Sequence, residues 1–180
     1  MHIRRCAAVL TAAVLMALGP AVSGARAAPA GLLDVTCVGS QTSTYSPPLT
    51  LTAQASTTTA STQYGPCVSL SRPDITAGSR SASVSYPSRT CLDLLDSQTV
   101  AFTITWNTGQ TSAVSGNATT TVVGATLTVT ITGNVTSGLF AGSSIVQVNE
   151  GPATDITLCT LGLGSVSSAY SLVALEITSV

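Results

Sequence analysis

The stretch that decides the fold is Val122–Gly142, which reads VVGATLTVTITGNVTSGLFAG. Aliphatic side chains occupy every second position of its central part, and threonines fill the positions between them. Because successive side chains of a strand point to opposite faces, this pattern predicts a strand with one buried aliphatic face and one threonine face turned to water. β-branched residues on both faces also suit a pleated sheet. The aliphatic row consists of Leu127, Val129, Ile131 and Val135.

Shorter copies of this alternation recur along the chain. Val100–Trp106 is one of them, and the Asn107-Thr108-Gly109 turn that follows is typical of a hairpin. We count eight or nine short strands between glycine, proline and asparagine turns, and we interpret the polar stretch 39–48 as a connector. Such a series indicates an antiparallel sandwich or barrel. We expect an all-β, antiparallel fold of one of these two kinds, with one helical turn at Cys91–Asp96.

The first 27 residues have the composition of a secretory signal peptide. Arg4 and Arg5 precede an apolar run from Ala7 to Leu18, and Ala25-Arg26-Ala27 offers small residues before a cleavage site. The apolar run is shorter than the roughly 20 residues of a spanning helix. We therefore expect a cleaved leader at 1–27, a single domain at 28–180 and a secreted, extracellular product, with no membrane contact after cleavage.

Cleavage would leave a weakly charged chain with few chemically reactive side chains. The remaining 153 residues hold three arginines and seven carboxylates, a net charge of −4, which argues against nucleic-acid partners. The sequence contains no lysine, and its one histidine, His2, would leave with the leader. Catalysis by a histidine base, a Ser-His-Asp triad or a lysine nucleophile is thereby excluded for the cleaved chain. We expect no enzyme, no cofactor and no bound metal.

Four cysteines would remain after cleavage, namely Cys37, Cys67, Cys91 and Cys159. An even number in an exported chain of this size predicts two disulfides, and the absence of CxxC spacing argues against zinc. Four cysteines allow three pairings. We favour Cys37–Cys67 with Cys91–Cys159 because sequence neighbours close the smaller loops.

A few side chains are candidates for binding. Tyr45 and Tyr64 lie in polar surroundings typical of loops, where exposed rings could contact a ligand, whereas Trp106 shares the parity of Phe102 and is predicted to lie in the core. Arg80 lies in a stretch that we predict to be a loop braced by a disulfide.

Asp93 and Asp96 are the closest pair of acids in the sequence. Calcium prefers oxygen ligands from loops, so the pair could hold that ion. The alternative, which we favour, is a solvated capping turn. The sequence does not decide whether calcium binds.

The chain resembles a group of small exported actinomycete proteins that have no assigned activity. The resemblance rests on Cys37-Val38-Gly39, Tyr45-Ser46-Pro47, Trp106-Asn107-Thr108-Gly109 and, most clearly, the segment 133–142. It covers most of the chain after the leader and includes no catalytic motif. It implies an immunoglobulin-like sandwich with two disulfides.

These observations together predict a secreted, non-catalytic protein that acts as an extracellular or cell-envelope binding or structural module. Its partner would be an extracellular protein or a cell-wall polymer. The alternative is a serine-protease inhibitor that presents the braced loop near Arg80 to a trypsin-like enzyme. A weaker possibility is an enzyme based on two carboxylates, which would need two acids within roughly 5–10 Å in a concave site.

Overall fold

Eight antiparallel strands follow one another in the computed structural model, which describes residues 33–179. The leader predicted at 1–27 lies outside these residues. A 3-10 helix at Leu92–Leu94 confirms the helical turn expected at Cys91–Asp96, and the helix α1 (Thr154–Thr160), which the sequence analysis missed, separates the last two strands. The strands are β1 (Leu33–Leu49), β2 (Gln54–Val68), β3 (Gly78–Arg89), β4 (Gln98–Trp106), β5 (Thr111–Val123), β6 (Thr126–Gly138), β7 (Ser144–Pro152) and β8 (Val166–Thr178).

The sheet closes on itself, so the predicted immunoglobulin-like sandwich is wrong. Each strand pairs with its neighbours in sequence, and β1 also pairs with β8, which makes a closed eight-stranded barrel. Cys37 shows the closure, because it lies opposite Cys67 on one side and opposite Leu175 on the other. Alternating side chains predict only that one face of a strand is buried. A sandwich and a barrel satisfy that condition equally.

The first strand is much longer than the sequence suggested. The stretch 39–48, predicted to be a connector, lies within β1 and pairs with both β2 and β8. A bulge between Cys37 and Gly39 bends the strand there. A Cβ at Gly39 would lie 2.0 Å from the carbonyl oxygen of Gln63, so only glycine fits this close approach. Several residues of β1 that face the interior are polar. The alternation of apolar and polar residues that identifies other strands is therefore missing here.

Apolar side chains fill the barrel in two clusters. The larger surrounds Trp106, which is 2% exposed, as predicted for a core residue. Its indole Nε1 donates to Ser112 Oγ at 2.8 Å, and its ring meets Phe140 edge to face with centroids 5.7 Å apart. The smaller cluster includes Tyr45, Leu49, Cys91, Ile156, Cys159 and Val166.

Two disulfides link elements of the barrel. They pair Cys37 with Cys67 and Cys91 with Cys159, which confirms the favoured connectivity. The first joins β1 to β2. The second joins the β3–β4 connection to α1, between β7 and β8. Disulfides persist in oxidising, extracellular surroundings. Within residues 33–179, no helix is both long and apolar enough to span a membrane.

One neighbouring pair of strands is barely joined. β3 and β4 pair only where Gly78 faces Trp106 and Ser79 faces Thr105, whereas β5 and β6 pair over nearly their whole length. Val84, which points to the same side of β3 as Arg80, is 48% exposed because no β4 residue covers it. We call this parting of β3 from β4 the open seam.

Candidate functional site

A cavity of about 170 Å³ lies inside the barrel behind the open seam. Both strands of the seam line it, as do the inward faces of β1, β5, β6 and β7 and one residue of α1. An eight-stranded barrel is just wide enough to be filled by side chains or to hold one small ligand. The lining residues are Gln41, Arg80, Arg89, Leu94, Gln98, Val100, Ala118, Thr120, Leu127, Val129, Ile131, Asn149 and Ile156.

Arg80 points from β3 into this cavity and is held by uncharged groups. Its Nε donates to Thr62 Oγ1 at 3.1 Å and its Nη2 donates to Gln41 Oε1 at 2.9 Å. The guanidinium carbon lies 3.9 Å from the ring centroid of Phe102 on β4. The side chain thus crosses the seam where backbone pairing has ended. Burial lowers the pKa of Arg80 from its usual value, because desolvation disfavours the charged form.

Arg89 reaches the same cavity from the other end of β3. It is 7% exposed, and its Nη1 donates to Thr58 Oγ1. Its guanidinium carbon lies 4.2 Å from the ring centroid of Tyr86 and 5.8 Å from that of Tyr45. Two aromatic rings therefore flank the second cation.

A chain of amide side chains continues the polar lining across the barrel. Gln41 Oε1 also accepts from Thr62 Oγ1 at 2.9 Å and from Asn149 Nδ2 at 3.2 Å. Asn149 Oδ1 accepts from Gln147 Nε2 at 2.7 Å, and Gln147 Oε1 accepts from the Tyr64 hydroxyl at 2.8 Å. Burial raises the pKa of Tyr64 to about 12. The network orients Gln41 towards Arg80, so the guanidinium of Arg80 has a fixed position.

The two cations in the lumen have no anionic partner among residues 33–179. No carboxylate of that range hydrogen-bonds or forms an ion pair with Arg80 or Arg89. Arg72, the third arginine of this range, pairs with Asp74 at 2.9 Å on the surface. Asp93 feels the charge of Arg89 at a distance, but its carboxylate is bound to Thr90.

The opposite wall of the cavity is mainly apolar. Leu127, Val129 and Ile131 project inward from β6, and Val100 and Ala118 project from β4 and β5. The cavity thus has a cationic, hydrogen-bonding side formed by β1, β3 and β7 and a mainly aliphatic side formed by β4, β5 and β6, to which Gln98 and Thr120 add polar groups. Such a lining suits a small molecule with one polar end and one apolar body.

A larger depression of about 770 Å³ lies on the outside of the barrel, across β7, β8, β1 and β2. It is shallow and mostly aliphatic, with Ser40, Gln63 and Glu150 as its polar residues. Size alone does not make a binding site, because orientation requires convergent polar groups. The smaller internal cavity has those groups, so we regard it as the candidate site.

The structure places the predicted binding residues differently from our expectation. Tyr45 and Tyr64 lie in strands and are 8% and 2% exposed, so the prediction of exposed loop tyrosines is wrong. Arg80 lies within β3 with its side chain inside the barrel, so the predicted loop at Arg80 is also wrong. Sequence reasoning placed these residues in loops because polar neighbours surround them, whereas in this barrel polar side chains line part of the interior.

The acidic pair at the helical turn serves a local structural purpose. Asp93 accepts hydrogen bonds from the backbone N–H and the hydroxyl of Thr90, and these bonds lower its pKa. Asp93 thus holds the backbone just before the 3-10 helix, while no side-chain hydrogen bond caps that helix at Cys91. Among residues 33–179, no cluster of three or more histidine, cysteine, aspartate or glutamate side chains is arranged to hold a metal ion.

Sequence reasoning missed Arg89, Gln41 and Asn149 as site residues. A signal for Arg80 was present, because it shares the parity of Ala82 and Val84 and therefore their face of β3. No such signal exists for Arg89. The register of β3 against β2 shifts between Tyr86 and Arg89, and this shift reverses the parity.

Comparison of the chain with protein-family models, with curated proteins and with solved structures finds no match. The resemblance to exported actinomycete proteins therefore stays a prediction.

Proposed function

We propose that the protein is a secreted, non-catalytic binding protein that holds one small molecule inside its barrel. The observation that carries the proposal is the cavity behind the open seam, which has a polar, cationic side and an aliphatic side. The molecule would enter where β3 and β4 part, because the strands are not hydrogen-bonded there.

The geometry of the polar side supports binding at a fixed orientation. Arg80, Gln41 and Asn149 are held by hydrogen bonds to one another and to neighbouring strands, so their free donors are already oriented. A site that is oriented before the ligand arrives loses less conformational entropy on binding. Rigid strands of a closed barrel supply this orientation.

Secretion and the absence of catalysis are parts of the same proposal. The leader-like residues 1–27 and the two disulfides support export to an oxidising compartment. The lining of the cavity includes no histidine, lysine, cysteine or carboxylate, which are the usual proton-transfer groups and nucleophiles. Arginine, amide and hydroxyl groups suit the binding of a molecule that is released without chemical change.

An NMR screen of ring-sized compounds, read from both the ligand signals and the protein amide signals, tests the proposal. The protein would be residues 28–180 with both disulfides formed. We expect compounds to bind at a ratio of one to one and to be recovered unchanged after prolonged incubation. Binding should shift the amide signals of β3, β4 and β6. It should leave unchanged the signals of the β8 residues that line the depression on the outside of the barrel.

A matched pair of variants locates the binding. Ala118→Leu adds three carbons inside the cavity, and Ala101→Leu makes the same change on the outer face of β4. Ala118→Leu should weaken binding more than tenfold, whereas Ala101→Leu should leave it within twofold. Equal binding by both variants, or no bound compound in the unchanged protein, would contradict the proposal. Chemical conversion of a bound compound would contradict its non-catalytic part.

The expected partner, an extracellular protein or a cell-wall polymer, stays a prediction for the outer surface. The inhibitor hypothesis has lost its structural basis, because Arg80 is not presented to a protease in a loop.

A further inference from the structure

The distribution of positive charge in this barrel indicates what the cavity binds. Residues 33–179 contain three arginines and no lysine, and two of the three arginines point into the same cavity. Seven carboxylates lie in the same range, yet none reaches those two guanidinium groups by a hydrogen bond. Desolvating a cation without an anionic partner costs free energy. An anion bound from solution would offset that cost.

Most donors of the two guanidinium groups are free to bind such an anion. Each guanidinium has five N–H donors, and Arg80 and Arg89 together donate three bonds to protein atoms, all to uncharged oxygens. The nitrogens without a protein partner are not sealed in the core, because the one buried unpaired side-chain atom of the described chain is Thr36 Oγ1. These donors are therefore accessible, and both arginines line the cavity.

The size and the other wall of the cavity limit the rest of the ligand. Leu127, Val129 and Ile131 face the cationic side, so the part of the ligand away from the anion must be apolar. An apolar cavity of roughly 150 Å³ in another protein holds one benzene-sized molecule. At about 170 Å³, this cavity accommodates one ring or a short aliphatic chain with a small head group.

We propose that the ligand is a small amphiphilic carboxylate, with its carboxylate on the cationic side of the cavity, where Arg80 and Arg89 supply the donors, and its apolar body packed on the β6 side. This inference rests on the proposed function, because it names the class of molecule that the lumen holds. A planar carboxylate accepts paired N–H donors from a guanidinium, and such charge-assisted bonds are about twice as strong as neutral ones.

Benzoate and benzamide form the test pair, because they share ring and shape and differ in charge. Dissociation constants would be measured by NMR titration of residues 28–180 with both disulfides formed. We expect benzoate to bind at least tenfold more tightly than benzamide, and its affinity to fall as salt concentration rises. Shifts should centre on β3 and β6. Equal affinity for the two compounds would overturn the inference.

Three arginine variants provide the matched comparison. Arg80→Gln and Arg89→Gln should each weaken benzoate binding at least tenfold and leave benzamide binding within about threefold. Arg72→Gln removes the surface arginine paired with Asp74 and should leave both within twofold. Benzoate binding that survives both lumen substitutions would overturn the inference. If either variant fails to fold by circular dichroism, the benzoate–benzamide ratio and the salt dependence of the unchanged protein decide.

The outcomes separate this inference from the proposed function. Benzoate and benzamide could bind equally well, with both losing affinity in Ala118→Leu. That result would overturn the inference that the ligand is a carboxylate and would support the proposal that a ligand binds in the lumen. Binding of neither compound, together with a negative result in the wider screen, would overturn both.

Discussion

Two pairs of adjacent strands in this barrel, β5–β6 and β3–β4, differ sharply in how many of their residues are paired. β5 and β6 form twelve registered pairs, and β3 and β4 form two. The connections within these two pairs also differ in length, and the fully paired strands have the shorter one. Two residues, Gly124 and Ala125, separate β5 from β6, whereas eight residues containing Cys91 and a 3-10 helix separate β3 from β4.

The difference teaches where a closed barrel can open without losing its core. A tight turn fixes the register of the two strands it joins, so β5 and β6 stay paired along their length. The longer β3–β4 connection is bound by a disulfide to α1, and the strands can part. The cavity with its two unpaired arginines lies behind this open seam.

The largest expected effect follows from removing the disulfide that anchors the open side. Replacing Cys91 and Cys159 by alanine releases a link across 68 residues and should lower the free energy of unfolding by about 4 kcal/mol, from loop entropy. Urea denaturation measures the loss, and amide hydrogen exchange should quicken most in β3 and β4.

The other disulfide is the matched control for this experiment. Replacing Cys37 and Cys67 by alanine should cost about 3–4 kcal/mol but spare the seam, because that bridge joins β1 to β2. Equal acceleration of exchange in β3 and β4 in both variants would show that Cys91–Cys159 does not hold the seam.

A smaller loss of stability is expected from adding one carbon to β6, where β5 and β6 are paired along nearly their whole length. A Cβ at Gly133 would lie 2.2 Å from the carbonyl oxygen of Ser115, so one strand must shift. Gly133→Ala should therefore lower the free energy of unfolding by about 3 kcal/mol. Ala82→Val enlarges an exposed side chain on the open side and should change stability by less than about 0.5 kcal/mol. Similar losses in thermal or urea unfolding would remove the contrast between the two sides.

The smallest expected effect is a change of stability with pH, which reports how far water penetrates from the open seam. Tyr64 has a pKa of about 12 in the fold against 10.0 when unfolded, because burial disfavours the phenolate. The unfolded chain then loses this proton first, so the stabilisation is complete below pH 10 and is lost as the pH rises towards 12. The loss attributable to Tyr64 should total about 2–3 kcal/mol.

Unfolding measured between pH 8 and pH 12 tests the dryness of this part of the lumen. Tyr64→Phe should remove most of the pH dependence; part should persist because burial also raises the pKa of Tyr45. A flat profile in the unchanged protein would mean that water from the seam reaches Tyr64, and the two sides of the barrel would then differ more than their burial indicates.

Local sequence patterns predicted the strands well where one face is aliphatic and the other polar. The Val100–Trp106 strand with its turn and β6, within the stretch Val122–Gly142, are examples, although the turn at Gly124-Ala125 inside that stretch was not predicted. The same reasoning failed in β1 and β2, because Gln41, Ser43 and Thr62 face the interior although they are polar. The candidate site consists of these polar inward residues, and a method that searches for buried apolar rows misses them for that reason.

The sequence by itself determined the β class, the turn after Trp106 and the burial of that tryptophan, since each depends on short-range alternation or turn chemistry, whereas it only favoured one of three pairings of the four cysteines. The tertiary structure decided the closure of β1 on β8, the parting of β3 from β4 and the lining of one cavity by both Arg80 and Arg89. Those three features depend on register between strands far apart in sequence, and alternation along one strand carries no information about which distant strand it will meet.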